Sequence, residues 1–199
     1  FLRIIGVLIS RTFPPWRLGV EGRWPEGGPF VVVANHQSVL DILLLSRLPR
    51  EMKWVAKEEL FKIPWVGWML RMSGDIRIRR GDAESGGEAL ARAREYLSRG
   101  MSVMIFPEGT RSAKGTMLPF KSGAFRLAIE TGVPVLPVAV HGTARGMPKG
   151  GPWVNPCRAR ARLLEPIPVA GYGDDAVRLR DDVRARIQAA ERELAAALA

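Results

Sequence analysis

Phe30-Val31-Val32-Val33-Ala34-Asn35-His36-Gln37-Ser38-Val39-Leu40-Asp41 is the stretch from which the rest of the chain can be read. Phe30–Ala34 is an unbroken apolar run rich in β-branched residues, as expected of a strand buried on both faces. A helical pattern follows over Ser38–Leu48. A strand running straight into a helix is the repeating unit of an α/β sheet, and such sheets gather their chemistry at the strand ends. His36 stands at that place, with Asp41 five residues further on. A chain reversal there would bring the carboxylate to one imidazole nitrogen and leave the other facing solvent. The carboxylate would set the tautomer and stabilise the imidazolium, as in a catalytic triad without its serine. A substrate hydroxyl would then be the nucleophile. A plainer reading fits the same residues, because Ser38 and Asp41 also form the S-x-x-D pattern of a helix-capping box.

Working outward, short apolar runs alternate with helical patterns. Further strands are predicted at Lys53–Ala56, Ile76–Arg79, Ser102–Phe106, Val135–Val140 and Arg158–Leu163. Further helices are predicted at Pro64–Met72, Glu84–Ser98, Ser122–Thr131 and Asp174–Leu198. In Glu84–Ser98, Ala89, Leu90, Ala93 and Leu97 recur at helical spacing, so one face should be buried. The fold class is α/β, a single mixed sheet flanked by helices. With 199 residues, 47% hydrophobic and 25% charged, the chain fits one domain over 1–199.

Thirty basic against 20 acidic side chains leave a formal charge of +10, which implies an anionic partner. Nucleic acid is the first such class to weigh. Against it, the basic residues are dispersed, no binding module is recognisable, and aromatic residues are not interleaved with them. A phosphorylated substrate or an acidic lipid surface remains. The single cysteine, Cys157, permits no disulfide within the chain and no cysteine metal cluster. This suits the cytoplasmic side of a membrane.

Phe106-Pro107-Glu108-Gly109-Thr110-Arg111-Ser112 follows the strand Ser102–Phe106. Gly109 lets the backbone approach a ligand, Arg111 offers a planar fork suited to phosphate, and Glu108 could accept hydrogen bonds from substrate hydroxyls.

With these segments in view the sequence closely resembles the glycerolipid acyltransferases, specifically the 1-acylglycerol-3-phosphate acyltransferases. Their four motifs occur here in order. N-H-x-x-x-x-D is Asn35-His36 through Asp41, and G-x-I-x-I-x-R is Gly74-Asp75-Ile76-Arg77-Ile78-Arg79-Arg80. F-P-E-G-T-R-S is Phe106 to Ser112, and V-P-V-x-P-V is Val133 to Val138. Phe120-Lys121-Ser122-Gly123 fits the segment that usually follows the third motif.

The resemblance implies a glycerolipid acyltransferase-like fold. It implies His36, assisted by Asp41, as the base that deprotonates the sn-2 hydroxyl of 1-acylglycerol-3-phosphate, yielding phosphatidic acid. The acyl chain would come from acyl-CoA or an acyl carrier protein, with no metal and no redox cofactor. Arg80, Glu108, Gly109, Thr110, Arg111 and Lys121 would bind substrate, and Pro134 and Pro137 would help shape the acyl or acceptor pocket. Another lysolipid, such as a lyso-aminolipid, is the alternative acceptor. One departure stands out: many members carry Asp before the last Arg of the second motif, where this chain has Arg79. Extra positive charge there would strengthen phosphate binding or shift the preferred headgroup.

A two-chain lipid product must leave into lipid, so monotopic or peripheral contact with the cytoplasmic face of the cell membrane is expected. Phe1–Ile9, within a possible membrane-associating segment 1–20 that reads as truncated, is too short to span a bilayer. Leu60–Met72 mixes tryptophan, aliphatic and basic residues, which suits either a headgroup-level helix or a core helix. His141 reads as structural, and Cys157 has no visible base beside it.

Overall fold

The structure is a computed structural model that describes residues 4, 6–8, 13–112, 116–150 and 154–199. Its strands are β1 (Trp16–Glu21), β2 (Val31–Ala34), β3 (Met52–Lys57), β4 (Ile76–Ile78), β5 (Ser102–Ile105), β6 (Val135–His141) and β7 (Cys157–Leu163). Between and after them run α1 (Leu40–Leu45), α2 (Val66–Ser73), α3 (Ala83–Ser98), α4 (Gly123–Thr131), α5 (Thr143–Gly146) and α6 (Ala176–Leu198). Glu58–Lys62 and Ala170–Tyr172 form single 3-10 turns. Ile4 and residues 6–8 are helical; the rest of Phe1–Ile9 lies outside the described residues.

The strands form one seven-stranded sheet in the order β1-β7-β6-β2-β5-β3-β4. Among the described residues every pairing is parallel except β6 with β7. β2 lies between β6 and β5, with Val31 in register with both Val135 and Val103. Its alternate side chains feed two cores. Val31 and Val33 pack with α3, α4 and α6, while Val32 and Ala34 pack with Leu40, Leu44 and Leu45 of α1. Burial on both faces is the reason this strand reads as continuous apolar sequence rather than as alternation.

β1 was not expected from the sequence, although Trp16, Leu18 and Val20 alternate with Arg17, Gly19 and Glu21. It pairs with β7, some 140 residues away along the chain, so nothing local announces its partner. α5 is a four-residue helix and carries no periodic signal.

Asn35 locks the end of β2 to β6. Its side-chain amide donates to the Val140 carbonyl at 2.9 Å and its side-chain oxygen accepts from the Val140 N–H at 2.7 Å. These bonds lie just beyond the strand pairing that ends at Ala34 and Val138. They hold the loop carrying His36 flat against the neighbouring strand. Asn35→Ala leaves two buried backbone groups of Val140 unpaired and should cost about 2–4 kcal/mol. Urea denaturation should show a lower midpoint at unchanged slope.

Candidate active site

Three adjacent parallel strands deliver their following loops to one edge of the sheet: β5 gives Glu108, β2 gives His36, and β6 gives Thr143. Asp41 is fully buried at the start of α1, and its carboxylate organises that edge. Its Oδ2 lies 2.7 Å from His36 Nδ1. The same oxygen accepts the backbone N–H of Gln37 at 2.7 Å and of Ser38 at 2.9 Å. The other oxygen, Oδ1, accepts the Thr143 hydroxyl. Both readings of this segment therefore describe the same bonds, because the carboxylate that caps the loop backbone also holds the imidazole. The Ser38 hydroxyl turns away, donating to the Met147 carbonyl at 2.7 Å.

With Nδ1 held by a carboxylate, the tautomer that donates there leaves Nε2 as the acceptor. Nε2 has no hydrogen-bond partner among the described residues. The Phe106 ring stacks on the imidazole at 4.0 Å between centroids and 18° between planes, which fixes the ring orientation. His36 is 7% exposed, so it offers one edge rather than a face.

Glu108 sits differently from the sequence expectation of a substrate contact. It is buried, its Oε1 accepts the backbone N–H of His36 at 2.7 Å, and its Oε2 accepts that of Leu118 at 2.8 Å. Both oxygens tie loops together. Burial pushes its pKa up, against the pull of those two N–H groups. The reciprocal tie runs from the Ser112 N–H to the His36 carbonyl at 2.9 Å.

Cations gather around the loop of residues 109–111. Gly109 has φ of 70°, and a Cβ there would come within 3.2 Å of Lys121 Cε, so the glycine makes room for the lysine. Lys149 donates to the Arg111 carbonyl at 2.9 Å and lies 3.5 Å from the Thr110 hydroxyl. Arg80 follows the end of β4. Desolvation lowers its pKa, opposed by Glu59, and the nearby Arg111 cation pushes the same way as desolvation. Arg79 does not join this group. Its guanidinium forks onto Glu58 and Asp82, each at 2.9 Å, so its extra charge is neutralised within the protein.

The two prolines are not at this edge. Pro134 precedes β6 at the opposite end of the parallel strands, where its carbonyl accepts the Val31 N–H, and Pro137 lies within β6 opposite Val33. The structure thus brings together His36, Asp41, Glu108, Gly109, Thr110, Arg111, Lys121 and Arg80, and leaves Pro134 and Pro137 apart from them. Sequence reasoning missed Thr143 and Lys149. Thr143 follows a predicted strand end, which was its available signal; Lys149 lies in no motif. His141 pairs with Glu191 of α6 at 2.7 Å, a tie between helix and sheet. Cys157 is buried, and burial pushes its thiol pKa up against the opposing charge of Arg145. Among the described residues no cluster of His, Cys, Asp and Glu is arranged to hold a metal.

Glu108→Gln sets an amide NH₂ against one of two backbone donors and should cost about 1–3 kcal/mol. Turnover should fall through displacement of His36, with the KM of the acceptor nearly unchanged. The reverse pattern in steady-state kinetics, a raised acceptor KM at intact turnover, would place Glu108 on the acceptor.

A family model described as Acyltransferase matches residues 17–141. The chain is 41% identical over 170 residues to a chloroplastic 1-acyl-sn-glycerol-3-phosphate acyltransferase of Brassica napus, covering 85% of this chain and 48% of the relative. It is 36% identical over 193 residues to 1-acyl-sn-glycerol-3-phosphate acyltransferase alpha of Mus musculus, covering 92% of this chain and 67% of that protein. The chain spans about half the length of the plant relatives it matches. Its fold is similar to the crystal structure of the 1-acyl-sn-glycerophosphate (LPA) acyltransferase PlsC from Thermotoga maritima, with a TM-score of 0.86, 35% identity, and coverage of 98% of this chain and 78% of that one. With the family model matched over more than half of the chain, relatives of 36–41% identity and a shared fold, the chain belongs to the Acyltransferase family.

Proposed function

We propose that the protein transfers a fatty acyl group from a thioester to the sn-2 hydroxyl of 1-acylglycerol-3-phosphate, forming phosphatidic acid. The observation that carries this reading is His36, bonded to Asp41 at 2.7 Å with Nε2 free, beside a loop ringed by cations. Nε2 takes the proton of the acceptor hydroxyl as its oxygen attacks the thioester carbonyl. Asp41 stabilises the imidazolium that results. Collapse of the tetrahedral intermediate expels the thiolate, which takes the proton back from Nε2. No side-chain nucleophile is needed, in keeping with the burial of Cys157. Arg80, Arg111, Lys121 and Lys149 receive the acceptor phosphate, with Arg111 offering a two-pronged contact.

A membrane surface is the proposed location of the reaction. Among the described residues no helix is long and apolar enough to cross a bilayer. The outer face of α2 and its approach is nevertheless apolar. Trp65 is 79%, Trp68 53% and Met72 65% exposed, while Gly67 and Leu70 face inward. Lys62 and Arg71 flank this face and are exposed. Such a stripe of tryptophan and aliphatic side chains between basic residues fits the headgroup boundary.

His36→Ala should lower turnover by at least about 10² with the fold intact by circular dichroism. A panel of lysolipids with labelled acyl-CoA, resolved by mass, should give phosphatidic acid as the principal product. A dominant product from a lyso-aminolipid would replace the acceptor while keeping the chemistry. Separately, the double variant Trp65→Ser, Trp68→Ser should lose most of its co-sedimentation with anionic phospholipid vesicles while its thermal midpoint stays close to that of the parent.

A further inference from the structure

The sheet edge beyond β6 carries charges that the reaction above does not use. β7 presents Arg158, Arg160 and Arg162 on one face, and β1 lies beside it with Arg17 directly in register with Arg158. Arg162 is neutralised by Glu21 at 2.9 Å and Glu193 at 2.6 Å. Arg160 lies 4.0 Å from Glu21 and donates to the Arg17 carbonyl at 3.3 Å. Arg17 and Arg158 are exposed, and among the described residues neither guanidinium has a carboxylate partner. Arg145, in the last turn of α5, is a third in the same condition.

These three line one open cavity of about 690 Å³, with His141 and Gly142 in its wall. Glu191, the acid that adjoins His141, is already engaged by that histidine at 2.7 Å and by Gln37 at 3.3 Å. The final turn of α6 also borders the cavity. Like charges opposite each other on paired strands destabilise a sheet. An arrangement that keeps them together and unpaired is suited to a ligand bearing phosphate.

The position of the cavity says which phosphate. β7 runs antiparallel to β6 with Arg160 opposite His141, so Arg158 lies past the end of β6, on the edge that carries His36. With strands about 4.8 Å apart, Arg158 is displaced roughly 10 Å and Arg17 roughly 14 Å sideways from β2. The wall residue Gly142 immediately precedes Thr143, which bonds Asp41. We propose that Arg17, Arg145 and Arg158 bind the phosphate at the far end of the donor's pantetheine arm, an inference that rests on the thioester chemistry proposed above. That arm carries the acyl thioester at one end and phosphate at the other, in coenzyme A and in acyl carrier protein alike. Extended, it is long enough to bridge the two to three strand spacings between the cavity and β2.

The test compares the parent with the triple variant Arg17→Gln, Arg145→Gln, Arg158→Gln, using acyl-CoA, acyl carrier protein and a phosphate-free acyl-pantetheine. The donor KM should rise at least about tenfold, with turnover at saturating donor and the acceptor KM unchanged. Acyl-pantetheine should serve both proteins equally. A rise with acyl-CoA alone, or with carrier protein alone, supports the site and identifies its source of phosphate. A donor KM within twofold of the parent for both, a rise in the acceptor KM instead, or an equal rise with acyl-pantetheine overturns it. Calorimetric binding of coenzyme A, which needs no turnover, reads the site by itself. A parent that binds it more tightly than the variant yet transfers from no donor would refute the reaction and keep the site. The corresponding single variants, each expected to give a smaller rise, serve if the triple variant does not fold.

Discussion

The buried carboxylate of Asp41 is the constraint on which the active edge depends. A carboxylate held away from water costs several kcal/mol unless hydrogen-bond donors surround it. Here the donors are two backbone N–H groups of the preceding loop, the Thr143 hydroxyl and the imidazole of His36. The chain between Ala34 and Leu40 has little choice of path once those bonds are required. The same requirement places the imidazole with one nitrogen engaged and the other free. Stability and the proposed chemistry therefore draw on a single set of bonds, and a loop that lost one would lose both.

Glu108 repeats the device one strand over. Its two oxygens hold the backbone of His36 and of Leu118, so the loops after β2 and β5 are fixed relative to each other as well as to the sheet. The division of labour at this edge follows from burial. The buried acids satisfy backbone donors, whereas the exposed cations Arg80, Lys121 and Lys149 stand where a ligand can reach them. Arg79 shows how position decides between these fates. It neighbours Arg80 in sequence, yet its charge is consumed by Glu58 and Asp82 at the start of α3.

The surplus of +10 is thus not a uniform coat. Of the 30 basic side chains, some are neutralised in pairs such as Arg162 with Glu21, and others flank the exposed tryptophans of α2. Two further groups collect on the same sheet edge, around residues 109–111 and in the cavity beside His141. An acyl transfer to a phosphate-bearing acceptor from a phosphate-bearing donor asks for two such places, one on each side of the base.

The sequence by itself determined the α/β class, six of the strands and all the longer helices. These elements are specified locally, by apolar runs, periodicity and capping residues. It also determined His36 and Asp41, because their partnership spans only five residues and one turn. Tertiary structure alone decided what depends on distant segments. β1 exists as a strand because β7 lies beside it, Thr143 reaches Asp41 from 102 residues away, and Glu108 braces His36 across 72. The role of Glu108 turned on the same point, since its residue type fits a substrate contact and only the neighbouring backbone shows both oxygens occupied. Likewise, composition left Leu60–Met72 open between a core and a surface helix; packing exposed Trp65 and Trp68 and buried Leu70. Local patterns fix elements and short-range pairs, but which groups meet across the sheet is set by strand order, and strand order is written in no single stretch of the chain.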